Sequence, residues 1–144
     1  MAEALFSLSN VLIMPFWLLM IFASNWRWTR RIVASPLIAV PPAVIYAVVI
    51  VPQLAAVFPA LMRPQLATIA AVLGTPWGAT AAWAHLVAFD LFVGRWIYLD
   101  SRSRDASPWT VGPILFLTLM VGPLGLLLYL LVRPVWRAGD PPRA

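Results

Sequence analysis

The chain has 144 residues, of which 62% are apolar and 10% are charged, and its mean hydropathy is +0.89. About a quarter of the residues in a soluble globular domain are charged, so this composition predicts a small integral membrane protein instead. The net charge of +5 favours lipid headgroups over nucleic acid as partners, and the lack of cysteine excludes disulfides and cysteine nucleophiles. With a single histidine as well, no metal site is predicted from this chain alone.

Four apolar runs follow one another, each near or above the ~20 residues that a helix needs to cross ~30 Å of hydrocarbon. Their ranges are 3–23, 37–62, 77–98 and 109–132. We therefore predict an all-α fold, an integral membrane bundle of four transmembrane helices with both termini on one side. Residues 1–135 form its single domain, and residues 136–144 form a flexible C-terminal tail. Every basic residue is arginine, which is typical of a GC-rich bacterial genome and favours a bacterial inner or intracytoplasmic membrane.

The last three runs each begin with a hydroxyl residue followed by proline, at Ser35-Pro36, Thr75-Pro76 and Ser107-Pro108. A hydroxyl N-cap with proline in the first turn is typical of a helix start. The second run holds further prolines that each remove a backbone hydrogen bond, so it is predicted to be kinked and to line a cavity. Residues 64–74 are too few to span and are predicted to lie at the membrane interface.

The third run contains three polar side chains, His85, Asp90 and Arg95. A carboxylate near the bilayer midplane costs ~3 kcal/mol, so Asp90 must be protonated, paired or turned toward a polar cavity, and we predict that it is functional. Two interpretations of Arg95 stay open: it reaches the interface along its own stem, or it is the charge partner of Asp90. For His85 a hydrogen bond to another helix and a functional role are equally open.

Helical periodicity divides these side chains between two faces of the third helix. Asp90 shares one face with Trp83, Val87, Gly94 and Ile97, and His85 shares another with Phe89, Phe92 and Trp96. Gly94 leaves room beside the carboxyl for a neighbouring helix or a ligand. Asp90 and His85 are too far apart around the helix to pair, although they could line two walls of one pocket. Asp100 and Arg104, just beyond the run, are predicted to form only a surface ion pair.

Three blocks carry a resemblance: "MPFWLLMIFASNWRWTRRIVAS", "AAWAHLVAFDLFVGRWIYLD" and "LFLTLMVGPLGLLLYLLVR". The second contains the pattern W-x-H-L-x-x-x-D-L-F-x-x-R-x-x-Y-x-D, which runs from Trp83 to Asp100. Over most of residues 11–132 the chain resembles the abscisic-acid-deficient-four-like family of small four-helix membrane proteins. Position 24 is Ser where the family pattern has Pro.

The resemblance implies carotenoid chemistry, because the plant family is known as neoxanthin synthase or a factor required for it. The implied reaction opens the epoxide of violaxanthin to an allene, removing one proton and protonating the oxygen, with no metal. It makes Asp90, His85 and Arg95 the candidate catalytic residues, and a carotenoid or another isoprenoid the candidate substrate or bound pigment. The predicted ligand contacts are Trp83, Phe89, Phe92, Gly94 and Tyr98.

Two other hypotheses stay open. Ala81 and His85 have the A-x-x-x-H spacing of small light-harvesting helices, in which the histidine binds bacteriochlorophyll. The chain would then be a non-catalytic pigment- or lipid-binding accessory subunit of a photosynthetic complex, with reaction-centre or antenna polypeptides as partners. A proton-coupled carrier that uses Asp90 ranks last, because four helices without a repeat make a poor alternating-access machine.

Overall fold

The computed structural model describes residues 1–136, and this part of the chain contains helices, turns and loops but no β-strand. The all-α class is therefore confirmed, while residues 137–144 of the predicted tail lie outside the described residues. Three short 3-10 segments, Pro36–Ala39, Val51–Gln53 and Arg133–Val135, accompany eight α-helices within residues 1–136. The α-helices are α1 Ala2–Phe22, α2 Arg27–Ala34, α3 Val40–Ile50, α4 Leu54–Met62, α5 Leu66–Leu73, α6 Pro76–Ser103, α7 Pro108–Met120 and α8 Gly122–Val132.

Helix α6 is the centre of the bundle and packs against α1, α3, α7 and α8. It begins as predicted, because the Thr75 hydroxyl accepts a hydrogen bond from the Gly78 amide, and it runs five residues beyond the predicted end. Helix α1 lies parallel to it: the Thr80 hydroxyl donates to the Ala2 carbonyl, and the Tyr98 hydroxyl donates to the Ser24 carbonyl. We call the end that holds Ala2 the near end of the bundle and the end that holds Ser24 the far end.

Close packing between α1 and α6 depends on Gly94. A Cβ atom on Gly94 would lie 2.4 Å from Cη2 of Trp17, so the indole occupies the space that a side chain would need. Trp17 is fully buried there, together with Met20, Leu91 and Ile97. Gly94 thus admits a neighbouring helix, which is one of the two roles predicted for it.

Within residues 1–136, two helical runs are long and apolar enough to cross a membrane by length and composition, Ala2–Phe22 and Pro36–Met62. They correspond to the first and second predicted spans. The second run is interrupted at Val51–Gln53, where α3 gives way to a 3-10 turn at Pro52, so the predicted irregularity is confirmed. With α5 and α6 it also lines an apolar cavity of about 170 Å³, as predicted for this run.

The fourth predicted span is not one helix, and this is the main correction to the sequence-based architecture. It divides at Val121 into α7 and α8, of 13 and 11 residues, which are ~20 and ~17 Å long and too short to cross ~30 Å of hydrocarbon. The start of α8 contacts Asp90 halfway along α6, and its end contacts Asp100. Helix α8 therefore runs back toward the far end, and α7 and α8 form a half-length hairpin.

Local backbone and packing explain the reversal. Val121 leaves the helical region with φ −147° and ψ 75°, and Pro123 in the first turn of α8 cannot continue the hydrogen bonding of α7. Gly125 lets the two helices touch, because a Cβ there would lie 2.5 Å from the backbone N and Cα of Thr118. Residue 136 consequently lies at the far end and Ala2 at the near end, so the prediction that both termini share one side is wrong for the described residues.

Hairpin packing can be tested with two glycines of the hairpin. Gly125→Ala should destabilise the protein by about 1–3 kcal/mol, because the new methyl group meets rigid backbone. Gly112→Ala is the matched control: its Cβ would meet only the Ile21 carbonyl oxygen, at 3.9 Å, and alanine is favoured over glycine inside a helix. Thermal unfolding of the purified variants in detergent measures both changes. Equal stabilities would contradict the tight crossing at Gly125.

At the far end a polar cluster holds the hairpin to α6, and we call it the Asp100 cluster. Asp100 accepts hydrogen bonds from Arg133 Nε and Nη2 at 2.8 and 2.9 Å, from Arg104 Nε at 3.0 Å, and from the Tyr129 hydroxyl. Trp96 and Trp136 flank the Tyr129 ring. The pair of Asp100 and Arg104 is present as predicted, but the prediction that it does nothing more is wrong, because Asp100 also joins α6 to α8.

Candidate functional site

A cleft between α1 and α6 lies beside the hairpin tip, because α7 ends at Met120 and the chain turns back into α8 at Val121. The cleft has a volume of about 460 Å³, which is in the range of small-molecule sites. Most of its lining is apolar, and Asp90 is the one titratable side chain among the residues that form it. The lining comprises Asn10, Ile13, Met14, Trp83, Leu86, Val87, Asp90, Leu119, Met120, Val121, Gly122 and Pro123.

Asp90 lies directly under the hairpin tip. A Cβ atom on Gly122 would lie 1.9 Å from Oδ1 of Asp90, so the carboxyl group occupies the space left by the missing side chain. Gly122 is the first residue of α8, and the partial positive charge at a helix N-terminus favours a carboxylate there. Asp90 is partly buried and faces the cleft, so it can exchange a proton with a molecule that enters.

Trp83 and Asn10 form a hydrogen-bonded pair in the same cleft. The Trp83 indole Nε1 donates to Oδ1 of Asn10 at 2.9 Å, and the Asn10 amide in turn donates to the Phe6 carbonyl at 3.0 Å. The Phe6 and Trp83 rings also pack together, with centroids 5.3 Å apart. These contacts fix the Trp83 ring as one wall of the cleft. Trp83, Val87 and Asp90 all line the cleft, so this part of the predicted shared face is confirmed, whereas Gly94 and Ile97 are not among the lining residues.

His85 lies outside this cleft. Its ring packs 5.4 Å from Tyr46 of α3 and 4.7 Å from Phe89, on a different face of α6, and its side chain is exposed. The structure therefore does not bring His85 and Asp90 into one pocket. Phe89 and Phe92 share this outer face, with exposed fractions of 60% and 47%, and neither is among the residues that line the cleft.

Arg95 contacts the end of α2 rather than Asp90. Its Nη2 donates to the carbonyl of Ala34, the last residue of α2, which satisfies a carbonyl that has no partner within the helix. Among residues 1–136 the ion pairs of Asp100 with Arg104 and Arg133 are present, and none joins Asp90 to Arg95. The interpretation of Arg95 as a charge partner of Asp90 therefore gains no support, and capping of α2 is the observed role.

Tyr98 and Gly94, two other predicted ligand contacts, also serve helix packing. Tyr98 is buried and ties α6 to the end of α1 through Ser24, and Gly94 lies under Trp17. Of the eight predicted site residues, Asp90 and Trp83 line the cleft. Whether any of the eight acts on a ligand stays a prediction.

Asn10 and Gly122 are cleft residues that sequence reasoning missed. The signal for Gly122 was available, because Gly-Pro followed by Gly125 within an apolar run indicates a helix break. Nothing in the sequence indicated Asn10, which reaches the cleft only because α1 packs parallel to α6. Within residues 1–136 no three His, Cys, Asp or Glu side chains come together as they would in a metal site.

The model of one protein family, described as ABA DEFICIENT 4-like, matches residues 4–129. The chain belongs to the ABA DEFICIENT 4-like family. This confirms the resemblance that was drawn from the three sequence blocks. The matched range of this family member includes every cleft residue and extends to Tyr129 of the Asp100 cluster. No curated protein and no solved structure matches the chain. Membership of the ABA DEFICIENT 4-like family points to a carotenoid-related membrane protein.

Proposed function

We propose that α1, the run Pro36–Met62 and α6 cross a membrane, and that the hairpin enters it from the far end and stops halfway. The apolar side chains that these elements leave exposed support this arrangement, among them Val11, Val48 and Phe116, which are 65%, 56% and 54% exposed. A water-soluble monomer rarely exposes such contiguous apolar surface. The use of arginine alone favours the inner membrane of a bacterium as the location.

The reversal of the fourth apolar run at Val121 also indicates how the protein is oriented in the membrane. Among residues 1–136, Arg63 follows α4 at the near end, and six arginines lie at the far end, namely Arg27, Arg30, Arg31, Arg102, Arg104 and Arg133. Cytoplasmic loops carry the excess of basic residues, so we place the far end in the cytoplasm and the N-terminus outside it.

Cysteine labelling tests this arrangement without background, because the chain has no cysteine. Single cysteines in place of the exposed Glu3 and Val135 should react differently with a membrane-impermeant thiol reagent on intact cells. Glu3→Cys should be labelled, and Val135→Cys should be labelled only after lysis. A four-span bundle puts both positions on one side, so equal labelling before lysis would contradict the half-length hairpin.

We infer that the cleft binds one end of a carotenoid or a related isoprenoid, and that Asp90 carries out acid–base chemistry on it. The observation that carries this proposal is the position of Asp90, the one titratable side chain among the residues that line a mostly apolar cleft, at half depth along α6. Leu86 and Met120 at the cleft are 50% and 57% exposed, so an apolar polyene can reach it sideways from the hydrocarbon. Family membership supports a carotenoid as the ligand.

The chemistry that suits this cleft is a metal-free isomerisation that opens an epoxide. The Asp90 carboxylate accepts a proton from carbon, the C–H electron pair forms the new double bond, and the C–O bond of the epoxide breaks toward oxygen. That oxygen then takes a proton from the Asp90 carboxyl group and becomes a hydroxyl group. Substrate and product have the same atoms, and one carboxyl group accepts and returns the proton.

The test is to produce the full-length chain in membranes that contain an epoxy-carotenoid and to follow the extracted pigments over time. We expect the epoxide to decline while an isomer of equal mass with an allenic spectrum appears, compared with membranes that lack the chain. A carotenoid that copurifies unchanged, with no isomer formed, would contradict the isomerase.

A second candidate function is an accessory subunit that binds pigment without converting it. The exposed ring of His85, between Tyr46 and Phe89 on the outer face of α6, supports this alternative, because an imidazole there is accessible to a bacteriochlorophyll held by a partner. Gentle purification from the native membrane distinguishes the two. Stoichiometric reaction-centre or antenna polypeptides would favour the subunit, and their absence together with isomer formation would favour the enzyme.

A further inference from the structure

A separate cavity of about 460 Å³ lies at the far end, beside α2, and four arginines line it. Arg27, Arg30 and Arg31 come from α2, and Arg102 comes from the last turn of α6. We call it the arginine pocket. Its other lining residues are Ser24, Asn25, Trp26, Ala34 and Tyr98.

None of the four arginines of the arginine pocket forms an ion pair with an acidic side chain within residues 1–136. The ion pairs found within residues 1–136 involve Arg104 and Arg133, both with Asp100, and neither arginine lines this pocket. The guanidinium groups of Arg27 and Arg31 lie 5.7 and 5.3 Å from the centre of the Trp28 ring, which fixes two of the four charges on one aromatic surface. Four clustered cations repel one another, so a bound anion would stabilise them.

The chemistry of the arginine pocket and the groove beside it favour a lipid phosphate as the bound anion. A guanidinium group can donate two parallel hydrogen bonds to the oxygens of one phosphate group. A basic cavity beside membrane helices on the cytoplasmic side therefore suits the phosphate of a lipid headgroup. An apolar groove of about 360 Å³ continues from the pocket, sharing Ser24, Asn25 and Trp26 with it. Phe22 and Trp109 line that groove and are 79% and 90% exposed, so it offers a surface for an acyl chain.

We propose that the arginine pocket binds the phosphate headgroup of an anionic phospholipid, whose acyl chain lies along the groove of Phe22 and Trp109. This site is distinct from the Asp90 cleft, and its lipid rests on the membrane arrangement proposed above but not on the carotenoid chemistry. Cysteine labelling tests that arrangement, whereas lipid binding tests this pocket, so the two can fail separately.

The experiment measures lipid retention by the full-length chain in neutral detergent, using native mass spectrometry. Phosphatidylglycerol should bind at least tenfold more tightly than phosphatidylcholine, which carries a phosphate but no net charge, and sodium chloride should weaken its binding. The double variant Arg30→Gln/Arg102→Gln should bind phosphatidylglycerol about thirtyfold more weakly, since each arginine near anionic lipid contributes roughly fivefold.

The matched control is Arg63→Gln, which removes an arginine outside the pocket and should leave binding unchanged. If the double variant does not fold, Arg102→Gln alone should weaken binding roughly fivefold. Equal binding of the two lipids, or unchanged binding by the pocket variants, would overturn the proposal. Displacement of phosphatidylglycerol by millimolar inorganic phosphate would assign the pocket to a free anion and overturn the lipid.

Discussion

Asp90→Asn should abolish conversion of the epoxy-carotenoid while the protein still inserts and folds. Asparagine has the shape of aspartate and fits the same space under Gly122, but it cannot accept and return a proton. General acid–base groups contribute about 10²–10⁴-fold to a rate, and Asp90 is the one titratable side chain lining the cleft, so we expect a loss of at least about 10²-fold. Pigment analysis of membranes with equal amounts of wild-type and variant protein measures it.

Two further variants separate chemistry from structure. Asp105→Asn is the matched control, because Asp105 lies in the α6–α7 loop with φ 52°, a conformation that asparagine also tolerates, and it should convert pigment at the wild-type rate. Asp90→Leu should also lack activity but keep its stability, since apolar residues often replace a buried acid without loss. Unchanged pigment conversion in both Asp90 variants would exclude the proposed acid–base role of the cleft.

Asp100→Asn should loosen the hairpin and lower the free energy of unfolding by about 2–3 kcal/mol, because hydrogen bonds to a charged group are lost. Asp100 holds Arg133 in two hydrogen bonds and accepts a third from the Tyr129 hydroxyl, and its side chain is only 15% exposed. Arg104→Gln is the control: Arg104 directly follows the last residue of α6 and pairs with Asp100 of the same helix, so its loss should leave the hairpin anchored and lower the free energy of unfolding by less. Thermal unfolding in detergent compares the two variants.

The contribution of Asp100 to the free energy of unfolding should depend on pH. Hydrogen bonds from Arg133, aided by those of Tyr129 and Arg104, hold the pKa of Asp100 well below its usual range, although partial burial acts in the opposite direction. The unfolded chain then binds a proton more readily than the folded one, so this stabilisation is fully present above about pH 4 and falls as the pH drops further. The difference in stability between wild type and Asp100→Asn should therefore narrow below about pH 4. A constant difference from pH 7 to pH 3 would contradict the role of the ionised carboxylate.

Local sequence rules predicted the beginnings of the helices. Each hydroxyl-proline pair precedes a helical segment, at Pro36, Pro76 and Pro108, because proline is already suited to the first turn. The Thr75 and Ser35 hydroxyls accept the expected capping hydrogen bonds. Periodicity likewise predicted that Trp83 and Asp90 share a face of α6, since side-chain direction in a regular helix follows from position alone.

Asp90 shows what a single polar residue in an apolar run determines. The cost of burying its carboxyl group predicted a polar or open environment, and the structure provides both the cleft and the N-terminus of α8. The partners of the other two polar residues did not follow from the sequence. His85 contacts Tyr46 of α3, and Arg95 contacts Ala34 of α2. Both partners are distant in the sequence, so local patterns could not indicate them.

The direction that the chain takes after the break at Val121 was decided by tertiary structure alone. The apolar composition of residues 109–132 is compatible with one spanning helix or with two half-length helices. Hydropathy shows that the side chains prefer an apolar environment, but it does not show the direction in which the chain runs. The reversal at Val121 depends on contacts with other parts of the fold: the Asp90 carboxyl under Gly122, the Thr118 backbone against Gly125, and Asp100 holding Arg133 at the far end. The sequence by itself determined an all-helical chain with an acid that needs a polar environment. Packing around α6 determined that this acid lies under a hairpin tip, in a cleft that a full fourth span would have filled.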